Sequence, residues 1–176
     1  MHPLAPFEYC PKCGSSQFLE NNFKSKKCHS CGFVYYFNVS SSVAVIIKND
    51  RDEILVATRA YEPAKGTFDL PGGFIDMEET AEEAAAREIL EETGLSVIET
   101  KYLFSLPNKY VYSEFEVQTM DLFFECKVKS GTAIHAEDDV AALQFIALKD
   151  LDPEQFGLLS IKKAIRKLKD SEQVNL

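Results

Sequence analysis

Glu88, Glu91 and Glu92 stand at helical spacing, and their types and positions suit the handling of a divalent cation. At about 100° per residue they fall within an arc of roughly 100°, where like charges repel unless something cationic neutralises them. From Asp76 to Glu92 the chain holds eight carboxylates and one basic residue, Arg87. Hard oxygen ligands of this kind select Mg²⁺, Mn²⁺ or Ca²⁺ over softer metals. The competing reading is a solvated acidic helix face, the usual meaning of a charge run. Two details tell against it. Ala81, Ala84 and Ala85 trim the surface close to Glu88, and the preceding Leu70-Pro71-Gly72-Gly73 lets a backbone carbonyl approach the same ion.

The element that must carry these carboxylates is written locally. Thr80 followed by Glu83 is a capping box and Gly94 is a C-terminal stop, so residues 81 to 93 are predicted to form one helix. Val43 to Ile47 and Ile54 to Arg59 are β-rich runs joined by the turn signal 48 to 52, which predicts a hairpin. Further strands are expected near 96 to 104, 119 to 128 and 143 to 148; residues 105 to 112 are read as a substrate-facing loop, with the alternation of Tyr110 and Tyr112 offering a strand edge as the alternative. Asp152-Pro153 is read as opening a C-terminal helix, with Phe156, Leu159, Ile161, Ala164, Ile165 and Leu168 on its apolar face.

Cysteines supply a second signal. Cys10 and Cys13, then Cys28 and Cys31, form two C-x₂-C pairs with fourteen residues between them, a spacing that suits a tetrahedral zinc ion. A ligand set made only of thiolates has no open position, so this zinc is expected to be structural. Disulfides and a redox dithiol are the alternatives; short C-x₂-C loops disfavour the first and two pairs disfavour the second. The segment resembles a zinc ribbon over residues 1–38, with residues 39–176 as the main domain.

A chain of 176 residues with 45% apolar content can bury a real core, and a net charge of −9 argues against a partner held through nucleic-acid phosphates. Without a run of eighteen apolar residues or a charged-then-apolar leader, the chain is expected to be soluble and cytoplasmic, with no membrane partner.

Gly73, Glu79, Arg87-Glu88-Ile89, Glu91-Glu92 and Gly94-Leu95 fit G-x₅-E-x₇-R-E-U-x-E-E-x-G-U, with U a bulky aliphatic, at every fixed position. The chain thereby resembles the Nudix hydrolases. The likeness extends upstream through Arg59, Pro63, Gly66 and Phe68, where many relatives carry Trp in place of Phe68. It implies an α/β fold, an α/β/α sandwich around a mixed sheet, and hydrolysis of a diphosphate in a nucleoside-diphosphate-linked small molecule. It further implies that Glu88, Glu91, Glu92 and the Gly73 carbonyl hold Mg²⁺ or Mn²⁺, that Arg87 orients a glutamate, and that Glu79 gives electrostatic support. Relatives differ in where the general base lies, so Glu137, with Asp138 and Asp139 beside it, is a further catalytic candidate. Arg59, Phe68, Lys109 and Tyr112 are the candidate substrate contacts, Tyr112 for stacking a base and Lys109 for a phosphate. A homodimer is left open.

A zinc ribbon followed by such a domain is similar to the arrangement of NADH pyrophosphatases, which carry S-Q-P-W-P-F-P-x-S downstream of the box. Here that stretch reads Phe104-Ser105-Leu106-Pro107-Asn108-Lys109-Tyr110, and the chain has no tryptophan, which counts against NAD(H). A regulatory module is the remaining alternative: the main domain would sense a nucleotide, and a ribbon bearing Lys12, Lys24, Lys26 and Lys27 would bind nucleic acid or protein.

Overall fold

Both cysteine pairs lie on tight turns beside a three-stranded antiparallel sheet made of β1 (Phe18–Asn22), β2 (Ser25–Cys28) and β3 (Val34–Tyr36), in that order. In this computed structural model, which describes residues 2–129, 133–136 and 138–174, the sheet belongs to the first of two units, Met1–Val39 and Ser40–Leu176. The Gly14 N–H donates to the Cys10 carbonyl and the Gly32 N–H to that of Cys28, closing each turn. Phe18 packs with Cys10 and Cys28, with Phe33 against them.

In the second unit, β4 (Ser40–Ile47) runs parallel to β8 (Phe115–Val128), whose other edge pairs antiparallel with β7 (Val97–Tyr112). A second sheet has the order β6 (Phe68–Asp69), β5 (Glu53–Arg59), β9 (Val140–Ala147), all antiparallel. The predicted hairpin is therefore only a turn: Lys48 bridges Ile54, and β4 and β5 then part into different sheets.

Strand alternation supplies the two faces that the helices cover. Val43, Val45 and Ile47 of β4 point with Phe124 of β8 toward Ala84, Ala85 and Ile89 of α1 (Ala81–Thr93). Ala44 and Ile46 point the other way, with Phe123, toward Ile161, Ala164 and Ile165 of α2 (Leu159–Val174). Each fully buried aliphatic side chain contributes about 1.5–3 kcal/mol by leaving water, so these layers fix where the helix ends lie. This is the α/β/α arrangement expected.

Helix α1 spans the predicted interval, with both halves of the capping box formed at Thr80 and Glu83 and with Gly94 in the left-handed region. The C-terminal helix begins later than expected. Asp152 caps a short 3₁₀ turn at Pro153–Gln155, Phe156 buries in the core, and Gly157 passes so close to Ala64 and Thr67 that no side chain fits there. Residues 105 to 112, expected as a loop, are strand. Pro107 is accommodated because β7 is an edge strand, where a missing N–H costs no ladder partner on the open side. Among the described residues no helix is long and apolar enough to cross a membrane.

Candidate active site

Arg87 organises the acidic face of α1. Its guanidinium bonds Glu79 through Nε (2.8 Å) and Nη2 (2.9 Å), bridges Glu88 (2.8 Å) and Glu91 (3.0 Å) through Nη1, and holds the Phe74 carbonyl at 3.0 Å. The single basic residue of the acidic run thus pairs with three of its carboxylates, Glu79, Glu88 and Glu91. These charge-assisted bonds, that to Glu79 foremost, raise the guanidinium's affinity for its proton, and the same bond holds the Glu79 carboxyl down at about 2.

Glu92 sits differently. It is buried, accepts a hydrogen bond from the Gly72 N–H at 2.9 Å, and has no basic partner among the described residues. Burial pushes its carboxyl up to about 8; the Gly72 N–H opposes this, while the nearby charges of Glu88, Asp69 and Asp139 add to it. Burial also raises the Glu88 carboxyl, with Arg87 opposing. A carboxyl placed this way ionises more readily when a cation joins it, so the donor set suits a hard divalent ion.

The approach of Leu70-Pro71-Gly72-Gly73 explains its glycines. A Cβ on Gly73 would overlap the Glu88 carboxylate, and one on Gly72, whose φ is +146°, would overlap the Val43 carbonyl. The Gly73 carbonyl accepts from the Val43 N–H at 2.8 Å, which ties this segment to β4 and leaves a second lone pair on that oxygen.

Next to this face opens a cavity of ≈ 230 Å³ whose wall includes Ser42, Arg59, Glu62, Asp69, Gly72, Gly73, Asn108, Tyr112, Thr119, Asp121 and Asp139. A smaller one of ≈ 90 Å³ shares Arg59, Glu62, Asp69, Leu70, Gly72 and Asp139 with it and is lined also by Glu92. Of the four candidate substrate contacts, Arg59 and Tyr112 line the larger cavity. Arg59 is held there by Asp69 (2.6 Å) and the Pro63 carbonyl (2.7 Å). Phe68 packs edge-on against Phe156 in the core, and Lys109 pairs with Glu116 at 3.3 Å on an exposed edge. Asp139 lines both cavities, while Asp138 is exposed and Glu137 lies outside the described residues.

Sequence reasoning missed Asp121, Ser42, Asn108 and Asp69. Asp121 is buried and accepts hydrogen bonds from Ser42 (2.6 Å), Thr119 (2.5 Å) and Ser160 (2.5 Å). An acidic residue two positions from Phe123, on the inward side of an alternating strand, was the available signal.

The four cysteine sulfurs lie within 4.8 Å of one another, the only group of three or more ligand atoms so gathered among the described residues; all four are free thiols. Burial opposes ionisation of Cys28, but N–H groups of Cys31 and Ser30 outweigh it and bring that thiol down to about 6. At Cys13 a backbone bond from Ser15 favours the anion, yet the neighbouring thiols prevail and push it up to about 12. The cluster could bind zinc, whose charge would let every sulfur ionise.

The model described as NUDIX domain matches residues 39–168. Among curated proteins, the NAD-capped RNA hydrolase NudC of Vibrio parahaemolyticus is 27% identical over 152 residues, covering 86% of this chain and 55% of that protein. NudC of Haemophilus influenzae is 28% identical over 155 residues, covering 87% and 56%. The chain therefore spans about half the length of the curated relatives it matches. Among solved structures, a NUDIX hydrolase from Nitrosomonas europaea superposes with TM-score 0.65 at 19% identity, over 89% of this chain and 86% of that one. The NUDIX domain of Shewanella oneidensis NrtR complexed with ADP ribose gives 0.60 at 20%, over 77% and 90%.

Proposed function

This chain belongs to the Nudix family, and on that premise we propose that it is a Mg²⁺- or Mn²⁺-dependent pyrophosphohydrolase cleaving a diphosphate linkage in a nucleoside-diphosphate-linked substrate. The observation that carries this reading is Glu92, buried with no basic partner among the described residues, on the wall of a ≈ 90 Å³ cavity that shares Arg59, Asp69, Gly72 and Asp139 with the neighbouring cavity of ≈ 230 Å³. Glu88, Glu91, Glu92 and the Gly73 carbonyl would hold the metal. When bound, it supplies charge neutralisation at phosphorus and a more acidic water.

The chain's own residues do the positioning. Arg87 fixes Glu88 and Glu91 and takes Glu79 as its anchor; the Gly72 N–H holds the Glu92 carboxylate toward the smaller cavity. Asp139 is the carboxylate of the 137–139 segment that lines both cavities, so it is our candidate general base from that segment, beside Glu137. Tyr112 offers a ring to a base, and Arg59, held by Asp69, faces the phosphates. The first unit is read as a zinc ribbon in which Cys10, Cys13, Cys28 and Cys31, whose sulfurs lie within 4.8 Å of one another, would hold a structural ion, and the protein is read as cytoplasmic.

A second reading, cleavage of a dinucleotide of the NAD type, is favoured by likeness to relatives named NAD-capped RNA hydrolases. The test is a panel of nucleoside-diphosphate derivatives, including ADP-ribose, nucleotide sugars and NADH, offered with Mg²⁺ or Mn²⁺ and with products identified by mass. Metal-dependent cleavage between the two phosphates of one member is the expected result. No cleavage of any member with either metal would overturn the proposal.

A further inference from the structure

At one end of the α2-facing side of the sheet the apolar rows give way to polar ones. Ser42 on β4 stands opposite Asp121 on β8, and Thr119 stands opposite Asn108 on β7. These four form one side of the ≈ 230 Å³ cavity, and each is settled within the protein except Asn108. Asp121 takes hydroxyl protons from Ser42, Thr119 and Ser160. A hydroxyl has a single proton to give, so Ser42 and Thr119 have none left for Asn108 and turn only lone pairs outward. Arg59, the one basic residue on the cavity wall among the described residues, gives Nε to the Pro63 carbonyl and Nη1 to Asp69, and none of its N–H groups bonds Asn108 Oδ1. Asn108 is 5% exposed, and its Oδ1 is the one buried side-chain oxygen or nitrogen without a hydrogen-bond partner among the described residues.

Leaving such an acceptor unmade is costly, and buried groups of this kind normally find a partner. The surrounding carboxylates of Glu62, Asp69, Asp121 and Asp139 and the spent hydroxyls add acceptors to the wall, and no protein donor bonds Asn108 Oδ1. We propose that Asn108 is a specificity-determining residue whose Oδ1 accepts a hydrogen bond from an N–H or O–H donor on the nucleoside of the substrate. The inference rests on the pyrophosphohydrolase reading for its substrate class. Two groups on an adenosine-type nucleoside carry the required chemistry, the exocyclic amine of the base and a sugar hydroxyl. A nucleoside that offers only acceptors at that point would leave two oxygens facing each other, so the residue acts by excluding the wrong partner as much as by holding the right one.

The experiment measures binding of three probes, ADP-ribose, its hypoxanthine counterpart (amine replaced by oxygen) and its 2′-deoxyadenosine counterpart, by calorimetry without Mg²⁺ or Mn²⁺. Each is measured on the wild-type protein and on Asn108→Leu, a change that keeps the branched shape of the side chain and removes the amide. The wild type is expected to bind ADP-ribose about tenfold more tightly than one of the two analogues, with the weaker one telling amine from hydroxyl; in Asn108→Leu that preference should fall to within about twofold. Since Asn108 makes no bond through Oδ1 in the free protein, Asn108→Leu should melt at the wild-type temperature or above it. Equal affinity of the wild type for all three probes, or no binding of any, overturns the proposal, as does a lower melting temperature in Asn108→Leu with the preference intact. Failure of the parent reading looks different: the affinity pattern would persist while Mg²⁺ gave no turnover of any probe.

Discussion

Arg87 closes a two-point ion pair on Glu79, eight residues earlier in the chain, with Nε 2.8 Å from Oε1 and Nη2 2.9 Å from Oε2. The pair fastens the turn ahead of α1 to the middle of the helix. It also holds the arginine where Nη1 can reach Glu88 and Glu91, so one guanidinium sets the positions of three carboxylates.

Because that pair lowers the Glu79 carboxyl from 4.5 to about 2, its contribution to stability has a defined pH window. The stabilisation is fully present above about pH 4.5, the unfolded value, and is lost as pH falls toward 2. Glu79→Gln should therefore unfold at lower urea than the wild type at pH 7, with the gap narrowing below pH 4.5, clearly smaller at pH 3, and closing only below about pH 2. A gap of the same size at pH 7 and pH 3 would show that Glu79 acts by packing.

Glu92 gives the opposite sign. Its carboxyl is raised to about 8, so ionising it in the folded, metal-free protein costs stability that is progressively lost as pH rises from about 4.5 through 8. Glu92→Gln keeps an oxygen for the Gly72 N–H and carries no charge. The variant should match the metal-free wild type near pH 5, exceed it in melting temperature at pH 8.5, and lose that advantage when Mg²⁺ stabilises the wild type. Identical pH profiles for the two proteins would contradict the placement of Glu92.

Zinc removal tests the first unit. The protein should carry one zinc per chain through Cys10, Cys13, Cys28 and Cys31, and Cys28→Ser should lose it together with several degrees of melting temperature. Metal analysis that finds no zinc in protein purified under reducing conditions would rule out the ribbon assignment.

Tyr112 lines the larger cavity while remaining 60% exposed, as a ring waiting for a base would. Tyr112→Ala should raise KM for the best substrate by an amount equivalent to about 1–3 kcal/mol, with kcat changed far less, because stacking favours ground state and transition state alike. A fall in kcat at constant KM would assign the ring another role.

What could be read from the sequence was what is decided locally. The capping box at Thr80 and Glu83 and the stop at Gly94 are formed by the helix's own neighbours, so α1 was legible to the residue. The first half of β7 was legible as well, but residues 105 to 112 were not, because Pro107 and Asn108 carry loop signals that an edge position overrides. The hairpin signal at residues 48 to 52 correctly marked a turn, but which sheet each strand joins depends on β8 and β9, which lie far along the chain. The acidic box was visible as a pattern, whereas Asp121 and Asn108 became candidates only once the register set them on the cavity wall.

The most direct measurement is steady-state hydrolysis of the best nucleoside-diphosphate derivative with Mg²⁺, comparing the wild type with Glu91→Gln and Glu92→Gln at matched folded concentration. Turnover in each variant should fall by about 10²-fold or more, with the fold retained by circular dichroism and with no activity in the wild type once the divalent cation is chelated. Wild-type turnover in either variant, or hydrolysis that persists without a divalent cation, would contradict the assignment of this carboxylate face as the catalytic centre.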